Sequence, residues 1–185
     1  KAWQQQPFSH EGRFYTFRDV AVWPVPLQKP HPPIWGAATR HDESFAWIGR
    51  HGYDLLTVIY LFPLERLARQ IGIFRQAARE NGRDPRTIRV STHFQVYCSE
   101  SREDAHRVGR AAIHRYAEQI TEARLRGTSL ANVFQEPAFE ELLDEGRICI
   151  GTPDDCVAIL EHARDELGLT QVDCQFFYGG IPWEK

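Results

Sequence analysis

The chain has 185 residues, 42% of them hydrophobic and 25% charged, and its 22 basic and 25 acidic side chains give a formal net charge of -3. That composition suits one ordinary globular domain able to bury a core, and it excludes an intrinsically disordered chain. Charges of both signs are mixed along the whole length and no run nears the roughly 18 apolar residues of a membrane span, so neither nucleic acid nor membrane is an expected partner.

Arg13-Phe14-Tyr15-Thr16-Phe17 and Val20-Ala21-Val22-Trp23 are β-rich runs on either side of the polar pair Arg18-Asp19, which predicts a hairpin turning at that pair. Pro24, Pro26, Pro30, Pro32 and Pro33 then forbid helix and predict an extended lead-in. Ile34 to Ala38 is a short apolar run, expected as a strand buried on both faces. A helix should follow, with Phe45, Ile48 and Gly49 on its apolar side, Asp42 and Ser44 as candidate caps, and Gly52 at its end. Leu55 to Tyr60 is the next apolar run, and Leu64, Leu67, Ala68, Ile71, Phe74 and Ala78 mark an amphipathic helix between Pro63 and Asn81-Gly82.

The clearest strand comes next, because Ile88, Val90, Thr92, Phe94, Val96 and Cys98 alternate with Arg89, Ser91, His93, Gln95 and Tyr97. Ser101-Arg102-Glu103-Asp104 is a capping-box pattern opening a long helix that runs towards Gly127. A looser stretch and a short helix around Phe139 to Glu145 precede Gly151-Thr152-Pro153-Asp154-Asp155, where threonine as N-cap, proline and acids predict a helix start. Gly168 closes that helix, and Val172 to Tyr178 is a last strand before Gly179-Gly180 and Pro182. Three strand-helix pairs and a fourth strand imply a parallel α/β sheet, either doubly wound or part of a (β/α)8 barrel. No strand is followed by G-x-G-x-x-G or a Walker loop, which favours the barrel.

Cys98, Cys149, Cys156 and Cys174 show neither zinc-knuckle nor redox-dithiol spacing, so they are expected to be buried, reduced thiols of a cytoplasmic protein. No two histidines flank a glutamate at zincin spacing and no metal site is expected. No export signal stands at the start. With no methionine anywhere, and an opening inside Lys1-Ala2-Trp3-Gln4, the native start is expected upstream.

Gly12 to Phe17, Pro24, the run Gln28 to Trp35, Ala37-Ala38, Gly151 to Asp155 and Phe176 to Pro182, taken in order, resemble the luciferase-like flavin monooxygenases across nearly the whole chain. The resemblance implies a partial TIM (β/α)8 barrel, strands five to eight with a preceding β-hairpin insertion. It also implies a single domain over 1–185, with the hairpin and proline-rich lead-in at 1–32 and the βα units at 33–185. Members of the family bind reduced FMN, react it with O2 and oxygenate a small organic substrate. A separate NAD(P)H-dependent flavin reductase often supplies the flavin, and an F420-dependent branch transfers hydride instead.

Barrel active sites lie at the C-terminal ends of the strands, so the loop Thr39 to Ser44 is the first candidate site. Free amides at a helix start suit a phosphate, and Arg40 adds a charge matched to a dianion. The resemblance assigns Ala38, Thr39, Arg40 and Ser44 to cofactor contact; ordinary capping of a βα loop is the alternative. His93, with Ser91 and Gln95, should face inward and orient flavin or substrate, or else be a hydrogen-bonded interior histidine. Phe176, Phe177, Tyr178 and Trp35 are candidate walls of an apolar substrate pocket, or plain core. No catalytic residue is assigned, since the oxygenation is largely the cofactor's chemistry. A half-barrel also exposes two strand edges, which makes a non-catalytic assembly module or a homo-oligomer such as a dimer the competing expectation. A flavodoxin-like protein ranks last, because no phosphate loop follows its first strand.

Overall fold

The computed structural model describes residues 2–3, 7–125 and 138–181; Gly127 and Pro182 lie outside them. The chain divides into two compact units, 1–34 and 35–185. In the first, β1 (Phe8–Glu11) pairs antiparallel with β2 (Thr16–Val20), Phe8 opposite Val20 and Glu11 opposite Thr16. The hairpin therefore turns at Gly12 to Tyr15, closed by Gly12 N–H donating to Tyr15 O at 3.0 Å, and not at Arg18-Asp19 as the sequence suggests. A Cβ at Gly12 would stand 2.6 Å from His10 Nε2, while Asp19, with φ of 51°, is absorbed inside β2 and donates its N–H to Ser9 Oγ. The polar Phe8-Ser9-His10-Glu11 run has no apolar alternation by which it could be read as a strand.

The second unit is a parallel sheet. Its strands are β3 (Trp35–Ala37), β4 (Asp54–Val58), β5 (Val90–Cys98), β6 (Cys149–Gly151) and β7 (Gln171–Gln175). Trp35 pairs with Asp54, and Leu55 with Val90. Both β4 and β7 pair with residues 91–93 of β5, so they occupy its opposite edges. β6 joins at residues 96–98. Sequence reading misses β6, because three residues between a helix and a cap are too few to display a period.

Helices α1 (Asp42–Arg50), α2 (Leu64–Glu80) and α5 (Pro153–Leu167) cover one face. There Phe45, Ile48, Leu67, Ile71, Phe74 and Leu167 enclose Leu55, Val90, Phe94 and Val96. α3 (Arg102–Leu125) and α4 (Phe139–Asp144) form a second core with Tyr60, Tyr97, Ile148, Ile150 and Tyr178. Val96 pairs with Cys149 in the first core and Tyr97 pairs with Ile150 in the second. Neighbouring strand residues point to opposite faces, so the end of β5 is sandwiched between the two. α1 and α2 approach closely at Gly49, where a Cβ would stand 2.4 Å from Phe74 O. At the other end of the unit the Thr152 cap forms a full capping box with Asp155 and Gly168 closes α5 in the left-handed conformation.

At the N-terminal ends of β4 and β5 the buried Asp54 carboxylate accepts from Arg83 Nη2 at 2.6 Å, Arg89 Nε at 2.8 Å and the Arg89 backbone N–H at 3.3 Å. Arg83 also donates to the carbonyls of Gly52, Tyr53 and Thr87. One carboxylate thus fixes the entry to both strands. Asp54→Ala should lower stability by about 2–3 kcal/mol, since the charged hydrogen bonds are lost and Arg83 and Arg89 lose the buried carboxylate they share. Urea unfolding checks this, with Glu161→Ala, which removes an exposed pair to Arg164, expected to leave the midpoint near wild type.

Candidate functional site

All five strands are parallel, so the segments after their C-terminal ends gather at one end of the sheet. The loop after β3 is the most fully determined of them. Ala38 is buried and extends the ladder by donating its N–H to Leu56 O at 3.0 Å. Thr39 and Arg40 are half-buried and Ser44 lies in the first turn of α1. His41 occupies the N-cap position in an extended conformation, and no side chain caps the helix. This corrects the expectation for Asp42 and Ser44. Ser44 only donates its N–H to His41 O, and the Asp42 carboxylate is drawn sideways to α2.

That sideways pull is a clamp. Arg69 donates to both Asp42 oxygens, at 2.6 and 3.0 Å, and Gln70 Nε2 donates to Asp42 Oδ1 at 3.0 Å. The same Gln70 nitrogen reaches Arg40 O at 3.0 Å, and Arg66 Nη2 reaches it at 3.1 Å. Arg66 in turn lies over the Phe62 ring, 3.8 Å from its centroid. Hydrogen bonds from Arg69 and Gln70 hold the Asp42 carboxyl down at about 2. A cleft of about 430 Å³ opens beside the loop, lined by Gly36, Ala37, His41, Glu43, Ser44, Trp47 and Ile48. Of the four loop residues singled out from sequence, Ser44 lines this cleft, while the Arg40 carbonyl is held by α2. The uncapped amides and the Arg40 guanidinium suit an anion; the exposed Glu43 carboxylate in the cleft does not.

Ser91, His93 and Gln95 lie on the face of β5 opposite Val90, Phe94 and Val96. His93 is half-buried and fixed from both sides by β7: Nδ1 is 3.1 Å from Asp173 Oδ2 and Nε2 is 3.0 Å from Gln175 Oε1. Asp173 is the carboxylate partner that sequence could not supply, because it depends on the register placing His93 opposite Asp173. Ser91 Oγ and Gln95 Oε1 are buried without a hydrogen-bond partner.

The three aromatic residues after β7 separate. Phe176 and Phe177 are exposed, at 55% and 54%. Tyr178 is buried in the second core, edge-on to Tyr116, which is edge-on to Tyr60. Burial pushes the Tyr178 hydroxyl well above the usual phenol range. Gly179 allows this docking, because its φ is 53° and a Cβ there would stand 1.8 Å from Ala112 O. Arg115 Nε completes it by donating to Gly179 O at 2.6 Å. Trp35 lies at the other end of the strands, with Arg89 5.1 Å over its ring. The structure therefore does not gather His93, Phe176, Tyr178 and Trp35 into one wall. Among the described residues no group of His, Cys, Asp and Glu is arranged to hold a metal ion, and no helix is long and apolar enough to cross a membrane.

A family model described as luciferase-like monooxygenase matches residues 1–171. The FMNH2-dependent dimethylsulfone monooxygenase of Pseudomonas putida is 29% identical over 112 residues, 57% of this chain and 28% of that protein. The oxygenase component of the flavin-dependent trigonelline monooxygenase of Acinetobacter baylyi is 30% identical over 98 residues, 53% of this chain and 27% of that one. Among solved structures, the monooxygenase RslO1 of Streptomyces bottropensis superposes with a TM-score of 0.78 at 24% identity, over 99% of this chain and 52% of that one. The chain thus spans about half the length of that structure, and its matched stretches cover little more than a quarter of the two relatives.

The clamp has a defined acid limit. Because the Asp42 carboxyl is held below its unfolded value of 3.8, its contribution is complete above that value and is lost as pH falls through about 2. Wild type should therefore be more stable than Arg69→Ala by a constant margin above pH 5, a margin that shrinks towards pH 2. Thermal unfolding of both chains across that range checks it, and a margin that grew on acidification would contradict the assignment.

Proposed function

Since the chain belongs to the luciferase-like monooxygenase family, we propose that it forms strands five to eight of a (β/α)8 barrel that oxygenates a small organic substrate with reduced FMN and O2. The observation that carries this reading is the Thr39 to Ser44 loop, which stands at the C-terminal end of a barrel-type strand with its backbone fixed and its helix amides uncapped. In this reading β3 to β5 and β7 correspond to barrel strands five to eight, and 1–34 is the insertion before them. Residues 1–185 then count as one domain of the intact enzyme.

Arg40 supplies the charge for the cofactor phosphate, and the amides following His41 supply directional donors. Ala38, Thr39 and Ser44 complete the contact. When bound, reduced FMN supplies the electrons that activate dioxygen. The protein's part is to place and shelter the reacting groups. His93, steadied by Asp173 and Gln175, orients a polar edge of flavin or substrate. Phe176 offers apolar surface to the substrate, and Tyr178 backs it from within the second core. A relative described as an oxygenase component supports a separate NAD(P)H-dependent flavin reductase as partner. A cytoplasmic location fits the same reading.

A second reading rests on the sheet edges. Among the described residues the outer edges of β3 and β7 pair with no further strand. A half-barrel of this kind can recruit another chain, and a homodimer through those edges would make it an assembly module. Titrating FMN into the purified chain separates the two. A shift in flavin absorbance is expected, with F420 giving the weaker response. Arg40→Ala should weaken FMN binding about tenfold, or roughly 1.4 kcal/mol, with unchanged circular dichroism. No shift at any flavin concentration, in a sample that sediments as a dimer, would favour assembly instead.

A further inference from the structure

Three cysteines far apart in the sequence meet where β5 ends and α5 begins. Pairing of Val96 with Cys149 and of Cys98 with Gly151 puts Cys98 and Cys149 on the same face of adjacent strands, as diagonal neighbours. Cys156, in the first turn of α5, packs onto that face. Cys149 Sγ donates to Cys156 O at 3.8 Å, and the pairing of Cys98 with Gly151 sets Cys98 beside the turn that leads into Cys156. Cys149 is fully buried, Cys156 is 8% exposed, and Cys98 is open to solvent. Among the described residues no group of His, Cys, Asp and Glu is arranged there to hold a metal ion.

We propose that Cys98 and Cys156 are a peroxide-responsive thiol pair, in which Cys156 is the attacking sulfur and Cys98 the resolving one. In the first step the Cys156 thiolate displaces hydroxide from hydrogen peroxide, becoming a sulfenic acid, and the hydroxide takes up a proton to leave as water. In the second step Cys98 sulfur attacks the sulfenic sulfur. The hydroxyl departs with the Cys98 proton as a second water. Two thiols are oxidised to one disulfide and one peroxide is reduced to two waters.

Each residue's setting suits its part. Hydrogen bonding, from Cys149 first and Cys98 second, holds the Cys156 thiol down at about 7 against the opposing effects of burial and the neighbouring Asp155. Its thiolate fraction at neutral pH is therefore larger than that of an ordinary cysteine. Interaction with Cys156 first, and burial second, push Cys149 far up, so it stays a protonated donor. Cys98 is pushed up by burial and by Cys156, which suits a resolving thiol that must not be consumed first. The Arg102 fork on Asp155, at 2.9 and 2.5 Å, already ties the start of α3 to this turn of α5, and it keeps the pair within reach in the reduced protein. The inference stands apart from the flavin reading and uses none of its residues.

The test is hydrogen peroxide treatment of the full chain, alkylation of the remaining thiols and non-reducing tryptic mass mapping. The expected product is one dithiothreitol-reversible link between peptides 90–102 and 148–164. Fragmentation must place it on Cys156, since Cys149 shares that peptide. Cys98→Ser, an exposed change that keeps the wild-type circular dichroism, should abolish the link and leave Cys156 as a trappable sulfenic acid. Cys149→Ser should retain the link but form it about tenfold more slowly at pH 7 as the thiolate fraction falls. All four thiols surviving excess peroxide, or a link through Cys149, through Cys174 or only between chains, would overturn the proposal.

Discussion

The parallel unit depends on β5, which takes three strand partners among the described residues. Residues 91–93 accept β4 on one side and β7 on the other, and residues 96–98 accept β6. A parallel pair cannot be closed by a short turn, so each neighbour reaches β5 only through a helical crossover. Those crossovers decide what covers each face. Along most of β5 one face meets α1, α2 and α5; over the last three residues α3 and α4 cover the other as well. The accessible polar surface is thereby confined to the stretch around His93. Register at β5 sets which polar groups meet there, and a slip of one residue would send His93 into the apolar layer.

Much of this framework was written in local sequence signals. The alternation from Ile88 to Cys98, the apolar stripe of α2 and the Thr152 to Asp155 capping box each depend on neighbours within a few residues, and each stands where the pattern put it. What local pattern could not convey was anything settled by pairing across the chain. The hairpin turn moved to Gly12 because the polar Phe8 to Glu11 segment became a strand only by pairing with β2. β6 escaped notice for the same reason. Asp173 became the partner of His93, and Cys98 the neighbour of Cys156, through registers that no single segment encodes.

The candidate loop shows both sides of this. Its position after β3 and its polar composition were legible in Ala38-Thr39-Arg40-His41-Asp42. The use made of Asp42 was not, because the choice between capping its own helix and bridging to Arg69 depends on how closely α1 and α2 approach. Gly49 permits that approach by leaving room for Phe74 O. Once α2 is so near, a bidentate arginine contact outcompetes a local cap, being both charged and doubly bonded. Arg147 was equally hidden. A basic residue after a glycine reads as surface, yet it is buried and donates to Tyr60 O at 2.7 Å, holding the start of β6 against the end of β4.

The clamp on the loop after β3 has a consequence for how this segment can change over time. Two of its acceptors, Arg40 O and Asp42 Oδ1, are bound by a single buried side-chain nitrogen of Gln70. That shared nitrogen acts as a ruler, fixing the span between the two acceptors to the reach of one amide. Exposed side chains at His41 and Glu43 are free to vary, since neither touches the ruler. An added or deleted residue between Ala38 and Asp42 would carry one acceptor off it and leave the Gln70 amide buried with half its bonds. Length, and not chemistry, is what the fold polices in this loop.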